Sequence, residues 1–479
     1  MSMLTGLLSQ TIADLGLFFF KRFSMKQLFN SLYVLSFVLV FFGACKVNKT
    51  GDAVQGTLFK DVTLIDGNGG IPIEHTDLLV QGDTIAAIGK GLDTTGVNVI
   101  NLAGKTMMPA LISSHVHVGT LKGTATKSAN YTRANILSQL KKYEDYGVGN
   151  ILVMGTDRPM LFTSKLRDSS MKGLLPGTRL YSAGYGFGVP HNAPPVDFGM
   201  DNVFRPINAG QVPGEIDSLA KVRPLVVKMW VDDFGGKFKK MDPEVYKAVI
   251  TQAHKHNIRV AAHAYYAGDA RKLVADGINI IGHSIRDSVM DDQLVQEMKT
   301  KGVAYIPTLS LDEFAFIYAR KPEWINDPFF KASLEPGVFE MITSKKYQDD
   351  LKNSPAYARN VAAFETALRN LKKLYVAGVL VAMGTDSGAT PVRAQGFSEH
   401  LEMELMVQAG LTPLQAIGIA TKNSAKVLQI FDRYGTIEKG KVADMIILKS
   451  NPFGNIKNTR SIEAVYKAGK EVSRGPSKK

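Results

Sequence analysis

The chain has 479 residues, 45% hydrophobic and 21% charged, with no low-complexity tract. That composition excludes a disordered or fibrous protein and supplies core for a large domain with a smaller companion. The formal net charge is +13, but the basic residues are scattered in runs no longer than pairs such as Lys239-Lys240 and Lys372-Lys373, so a solvated basic surface is expected and no nucleic-acid partner. The single cysteine, Cys45, excludes an internal disulfide and any multi-cysteine zinc or iron–sulfur site. A metal here must rely on His, Asp, Glu or a modified Lys.

Residues 25–45 read MKQLFNSLYVLSFVLVFFGAC. Lys26 supplies a charged start, Leu32 to Phe42 a mostly apolar run, and Gly43-Ala44 small residues before Cys45. This pattern resembles a bacterial lipoprotein signal, in which the cysteine becomes the lipidated first residue. It predicts an exported protein anchored to a bacterial membrane through Cys45. The run is short for a full transmembrane helix. A signal of this kind is normally N-terminal, so Met25 is the expected start of the chain. Residues 46–56 suit a tether.

Thr57 to Leu64 alternates in strand fashion, as does Leu78 to Ile88 around the turn Gln81-Gly82-Asp83. Val97 to Leu102 adds a short strand, and the same character returns after Gly435 at Ala443 to Lys449 and Ala464 to Val472. Residues 57–105 and 435–475 are therefore expected to form one small β-sandwich built from both chain ends. Between them, residues 106–434 alternate apolar strands (Val226 to Val231, Val260 to Ala264, Ile278 to His283) with helices (Pro243 to His256, Gly268 to Ala275). Repeated β–α units predict a parallel sheet, and the length suits a (β/α)8 TIM-type barrel, an α/β fold. Residues 310–360 are expected to be a helical excursion.

Five clusters of polar residues punctuate this region. His115-Val116-His117 follows the apolar stretch Met107 to Ile112, and side chains two apart on a strand share a face. Lys228 lies inside VVKMWV, where a buried charge is costly. His263 and His283 close successive strands, and Asp386 follows Val379 to Gly384. Each alone is compatible with a structural histidine, a snorkelling lysine or a turn aspartate. Together they fall at the C-terminal ends of different strands, the face where barrel active sites sit.

At these residues the sequence resembles the amidohydrolase superfamily, in its imidazolonepropionase-like and prolidase-like branch. The resemblance covers roughly residues 57–472. It rests on Met108 to Ile112 leading into His115 and His117, on VVKMWVDD, RVAAHAYY, IIGHSIRD and MGTDSG, and on HLEMELMVQAGLTPLQAIGIATKNSAKVL and GTIEKGKVADMIIL. It implies two divalent ions, zinc being the expected species. His115 and His117 would bind the more buried one, and His263 and His283 the second. Lys228 would be carboxylated by carbon dioxide and bridge both. Asp386 would ligate the first ion and act as general base. Three departures stand out. Ser113 occupies the place of a usual Asp, Leu152 and Val153 that of an Arg-Asp pair, and Gly282 and Ser284 flank His283. The Ser113 exchange predicts weaker support behind the metal ligands.

The implied reaction is hydrolysis of a C–N bond in a small amide, dipeptide or cyclic imide. A metal-activated hydroxide attacks the carbonyl, and Asp386 moves the proton to the departing nitrogen. Tyr266, Arg286 and His191 are candidate substrate contacts, and Arg286 would favour an acidic substrate end. The alternatives are a deaminase or mononuclear ring hydrolase on the same barrel, and a non-catalytic ligand-binding lipoprotein. The sequence is also compatible with a homo-oligomer.

Overall fold

Within residues 56–476, which the computed structural model describes, β1 (Thr57–Leu64) buries Leu58, Phe59, Val62 and Leu64. Met25, Cys45 and the lipoprotein signal lie outside the described residues. β2 (Ile73–Gln81) runs antiparallel to β1, and β3 (Thr84–Gly89) antiparallel to β2. β4 (Asn98–Asn101) pairs parallel with the first half of β1, and β5 (Thr106–Pro109) with its end.

One residue then moves the chain into another sheet. Ala110 donates its N–H to Asp444 O (3.0 Å), whereas the Leu111 N–H goes to Gly147 O (2.9 Å). β5 therefore belongs with the first strands, and the small sheet reaches Pro109 rather than stopping at the expected residue 105. β6 (Leu111–Val116) opens the parallel strands and is fully buried. A short hairpin of β7 (Leu121–Lys122) and β8 (Ala125–Thr126) follows.

β9 (Val148–Val153) and β10 (Arg179–Ser182) extend β6 in parallel. β11 (Val226–Trp230), β12 (Arg259–His263), β13 (Ile280–Gly282) and β14 (Ala304–Ile306) form a second parallel set. Backbone bonds join the two sets. Leu225 N donates to Ser182 O (2.8 Å), and Phe187 N to Lys228 O (2.8 Å). On the far side Tyr305 N donates to Leu380 O (2.9 Å) and Ser114 N to Met383 O (2.7 Å). The hydrogen bonding thus returns to β6, where it began. Residues 379–384, expected as a strand, make one isolated bridge, Val381 to Tyr305, instead of a ladder. The Met383 N–H is taken by the Ser424 hydroxyl (3.0 Å), which removes one ladder donor.

The helices pack outside. Pro243–Lys255 starts at the Asp242 cap and buries Val245, Tyr246, Val249, Ile250 and Ala253, spaced for one helical face. The excursion at 310–360 is a series of short helices leading into the long helix Tyr357–Ala377. No helix among the described residues is long and apolar enough to cross a membrane.

The chain end returns to the first sheet. β15 (Met445–Leu448) pairs antiparallel with β5, β16 (Ile462–Lys467) with β15, and β17 (Lys470–Ser473) with β16. The expected strand 464–472 is thus a hairpin, because Ala468 and Gly469 take φ 50 and 76, the left-handed pair that a tight turn requires. Strands from both ends form a single sheet in the order β17-β16-β15-β5-β1-β2-β3. Phe59 and Tyr466, one from each end, meet edge to face with ring centroids 4.9 Å apart.

A buried ion pair ties this sheet to the parallel strands. Arg179 of β10 donates to both carboxylate oxygens of Asp444, which also accepts from Ala468 N (2.8 Å). Asp444→Ala would strand the Arg179 charge. We expect a loss of about 3–5 kcal/mol of unfolding free energy, measurable by denaturant titration.

Candidate active site

The sequence candidates meet where the parallel strands end. β6 carries His115, and His117 lies one residue beyond its last residue; both are buried. Asp386 Oδ1 sits 2.9 Å from His117 Nε2 and 3.4 Å from His115 Nε2. Among the described residues these three form a group whose ligand atoms all lie within 4.8 Å of one another. The His283 ring lies 4.5 Å from that of His115 and 4.2 Å from that of His263, centroid to centroid.

Lys228, in the middle of β11, is 1% exposed, with Nζ 3.5 Å from His115 Nε2. Gly155 makes room for it, since a Cβ there would fall 2.7 Å from the Lys228 Cβ. Burial pushes the Lys228 amine down to about 7, against the pull of Asp386. Burial, with the Lys228 charge second, also takes His115 down to about 3. His263 and His283 are lowered mainly by burial as well. For Asp386, burial opposes ionisation, but the Arg393 charge and the bonds from both histidines hold the carboxyl well below the usual range.

The rings are oriented from behind. His117 Nδ1 meets Thr156 Oγ1 at 2.8 Å and His283 Nδ1 meets Thr308 Oγ1 at 2.9 Å, leaving each Nε2 for the interior. His283 and Asp386 sit at φ 36 and 55, left-handed conformations that cost about 1–3 kcal/mol and gather at functional sites.

A cavity of about 480 Å³ opens on this cluster, lined by His117, His263, His283 and Asp386 among others. Tyr266 and Arg286 line it too. The Tyr266 hydroxyl donates to Asp233 (2.9 Å), and Arg286 Nε pairs with the buried Asp312 at 2.9 Å. His191 is exposed and is not among the lining residues.

Several site residues escaped the sequence reading. Arg393 donates to Asp386 Oδ2. Asp157 is fully buried, accepting from the Tyr131 hydroxyl (2.9 Å) and from Ser182, and burial pushes its carboxyl up to about 7. A signal for it was present: MGTD occurs at 154–157 and again at 383–386, each beside a ring-bearing strand end. Asp232 follows β11 and contacts His263 (Nε2 to Oδ2, 3.0 Å).

Glu399 answers the Ser113 departure. Fully buried, its Oε1 accepts from Ser113 (3.1 Å), Thr385 (2.6 Å) and Ser387 (3.1 Å), the residues two before His115 and on either side of Asp386. A carboxylate therefore stands behind the cluster after all, supplied by helix Phe397–Gln408 rather than by β6.

A model of the amidohydrolase family matches residues 106–472. Imidazolonepropionase of Flavobacterium psychrophilum is 21% identical over 398 residues, covering 79% of this chain and 86% of that protein. The 5-methylthioadenosine/S-adenosylhomocysteine deaminase of Caldanaerobacter subterraneus subsp. tengcongensis is 24% identical over 412 residues, covering 82% of this chain and 84% of that protein. Among solved structures, a Xaa-Pro dipeptidase with bound methionine in its active site superposes with a TM-score of 0.68 at 24% identity, over 87% of this chain and 99% of that one. A prolidase complexed with N-methylphosphonate-L-proline gives 0.68 at 19% identity, over 88% and 100%. The family and these neighbours imply a TIM barrel of mixed α/β content, and the family implies divalent metal binding. Glu399→Gln, which turns an amide NH2 toward hydroxyl donors, is then expected to weaken divalent-ion affinity about 10–100-fold, measured by competition with a chelator, and adding Ser113→Asp is expected to recover part of the loss. By the match over residues 106–472, the chain belongs to the amidohydrolase family and is an enzyme that hydrolyses carbon–nitrogen bonds.

Proposed function

We propose that the enzyme hydrolyses the C–N bond of a small amide, dipeptide or cyclic imide at two divalent ions, with zinc the expected species. The observation that carries this is the buried convergence of His115, His117 and Asp386, with His263, His283 and Lys228 alongside, where His117, His263, His283 and Asp386 line one cavity. We further propose that the eight parallel segments close as a (β/α)8 barrel, with the sheet from the two chain ends belonging to a companion β-sandwich.

The donor set fits such ions. Imidazoles that burial keeps neutral offer lone pairs, and His115 Nδ1 is buried without a hydrogen-bond partner. His115, His117 and Asp386 would hold one ion, and His263 and His283 the other. A lysine ammonium has no lone pair. The neutral amine of Lys228 would add carbon dioxide, forming an N–C bond and releasing one proton, and the carbamate would supply anionic oxygen ligands that the amine lacks. When bound, the ions would supply Lewis acidity at the substrate carbonyl and a water acidic enough to react near neutral pH.

Asp386 takes a proton from the attacking water and returns it to the leaving nitrogen. Arg393, on the other carboxylate oxygen, keeps that group anionic and oriented. Tyr266 and Arg286 would touch the substrate, and Trp230 and Phe234 on the cavity wall exclude water from it. Deamination or ring hydrolysis at a single ion is the second reading. It draws on the likeness to the deaminase and on the one compact donor group among the described residues.

The export reading for residues 25–45 is likewise a proposal: Cys45 carries the lipid that anchors the enzyme to a bacterial membrane. Cys45→Ser is expected to move the protein from the membrane to the soluble fraction and to abolish labelling by a fatty-acid probe; unchanged fractionation and labelling would refute the anchor. For the chemistry, a panel of N-acyl amino acids and dipeptides is expected to yield a substrate. On it Asp386→Asn should lower kcat by about 100-fold or more, and undiminished turnover would remove Asp386 from proton transfer.

A further inference from the structure

A second cavity, of about 690 Å³, lies at the opposite end of the parallel strands from the histidines. Arg179, the first residue of β10, stands in its wall with Lys141, Lys172, Arg433, Lys467 and Lys470. Three of these six cations are committed. Arg179 is paired with Asp444, and Lys141 with Glu144 and Asp145 at 2.9 and 2.8 Å. Lys467 donates to the carbonyls of Leu175 and Gly177 at 3.0 and 2.5 Å. The other three, Lys172, Arg433 and Lys470, are exposed and have no acidic partner among the described residues. Of the two acids in the lining, Glu144 serves Lys141 and lies 3.8 Å from Lys467, which leaves Asp83 alone to offset three free cations.

A concavity that holds cations in excess attracts anions. Two features favour an extended anionic surface over a small ion. Leu174, 71% exposed, stands in the same lining, with the exposed Pro176 close behind it in sequence. A free phosphate gains nothing from an exposed leucine, whereas a bilayer interface takes apolar and basic side chains together. The second feature is where the chain enters. Gly56, the first described residue, lies against Val80 and Gln81, immediately before the turn Gly82-Asp83 that lines the cavity. On the anchor reading, residues 46–55 link Gly56 to the lipid on Cys45 and reach at most about 40 Å. The described chain therefore begins beside this cavity.

We propose that this cavity is a docking surface for anionic phospholipid headgroups, with Lys172, Arg433 and Lys470 at the phosphates and Leu174 in the interface. The part of the argument drawn from chain entry rests on the anchor reading. Docked in this way, the enzyme holds the histidine cavity, at the other strand ends, away from the bilayer.

The test uses the full chain with Cys45→Ser, so that no lipid is attached, and Leu174→Cys carrying a polarity-sensitive fluorophore. It is mixed with vesicles of phosphatidylcholine, alone or with phosphatidylglycerol. A blue shift is expected with the phosphatidylglycerol vesicles and not with phosphatidylcholine alone. None is expected in the matched Ile207→Cys chain, labelled at a position 72% exposed and outside the cavity lining. Each cation near an anionic surface is worth about fivefold in binding. Joint Lys172→Gln, Arg433→Gln and Lys470→Gln should therefore require at least tenfold more phosphatidylglycerol vesicles for the same shift. Lys172→Arg with Lys470→Arg, which keeps the charges, should leave the shift as it was. No shift at position 174 with phosphatidylglycerol, or a shift that the triple variant keeps, would overturn the proposal. So would a shift produced by inorganic phosphate alone, which would make the cavity a site for a soluble anion. These results are independent of fatty-acid labelling at Cys45: labelling that fails while the shift holds removes the anchor alone, and labelling that holds without the shift removes only the docking surface.

Discussion

The structure turns on the cost of keeping polar groups out of water at one end of the parallel strands. His115, His117, Lys228, His283 and Asp386 are each almost wholly buried, within a few ångströms of one another. Unpaired, such a group of ionisable side chains would be strongly destabilising. Their mutual contacts offset part of that cost: two imidazoles and Arg393 around one carboxylate, and an amine that burial drives toward neutrality. A group that can be tolerated only when lone pairs and charges are matched is also one ready to receive cations.

The rest of the fold serves that cluster by fixing directions. Thr156 and Thr308 each occupy the Nδ1 of one histidine, and Glu399 gathers the hydroxyls before His115 and on both sides of Asp386. These supports come from different strand ends and one helix, so the geometry depends on the whole ring of parallel segments being in register. Arg179 and Asp444 extend the same dependence to the sheet made from the two chain ends.

What could be read from the sequence followed from local regularity. His115 and His117 stand out because they end an apolar strand two residues apart; Lys228 because it interrupts one; His263, His283 and Asp386 because each closes a strand-like run. The strands β11, β12 and β13 lie close to where their apolar runs put them. What escaped are contacts made across long separations. Glu399 reaches Ser113 over 286 positions, and nothing near either residue announces the other. Asp232 and Arg393 lie in loops, where no period assigns a facing direction. The handover at Ala110 was hidden because Met107 to Ile112 is one apolar run serving two sheets. His191 shows the converse: a loop histidine with a plausible address stands outside the cavity. The segment 379–384 has strand composition, but a serine hydroxyl takes one of its donors.

The claim on which everything else rests is that these side chains hold metal, and anomalous diffraction at the zinc edge from crystals grown with zinc tests it most directly. The account predicts two peaks in the cavity, one among His115, His117 and Asp386 and one beside His263 and His283. A well-ordered site with no anomalous density near either pair of histidines would contradict it.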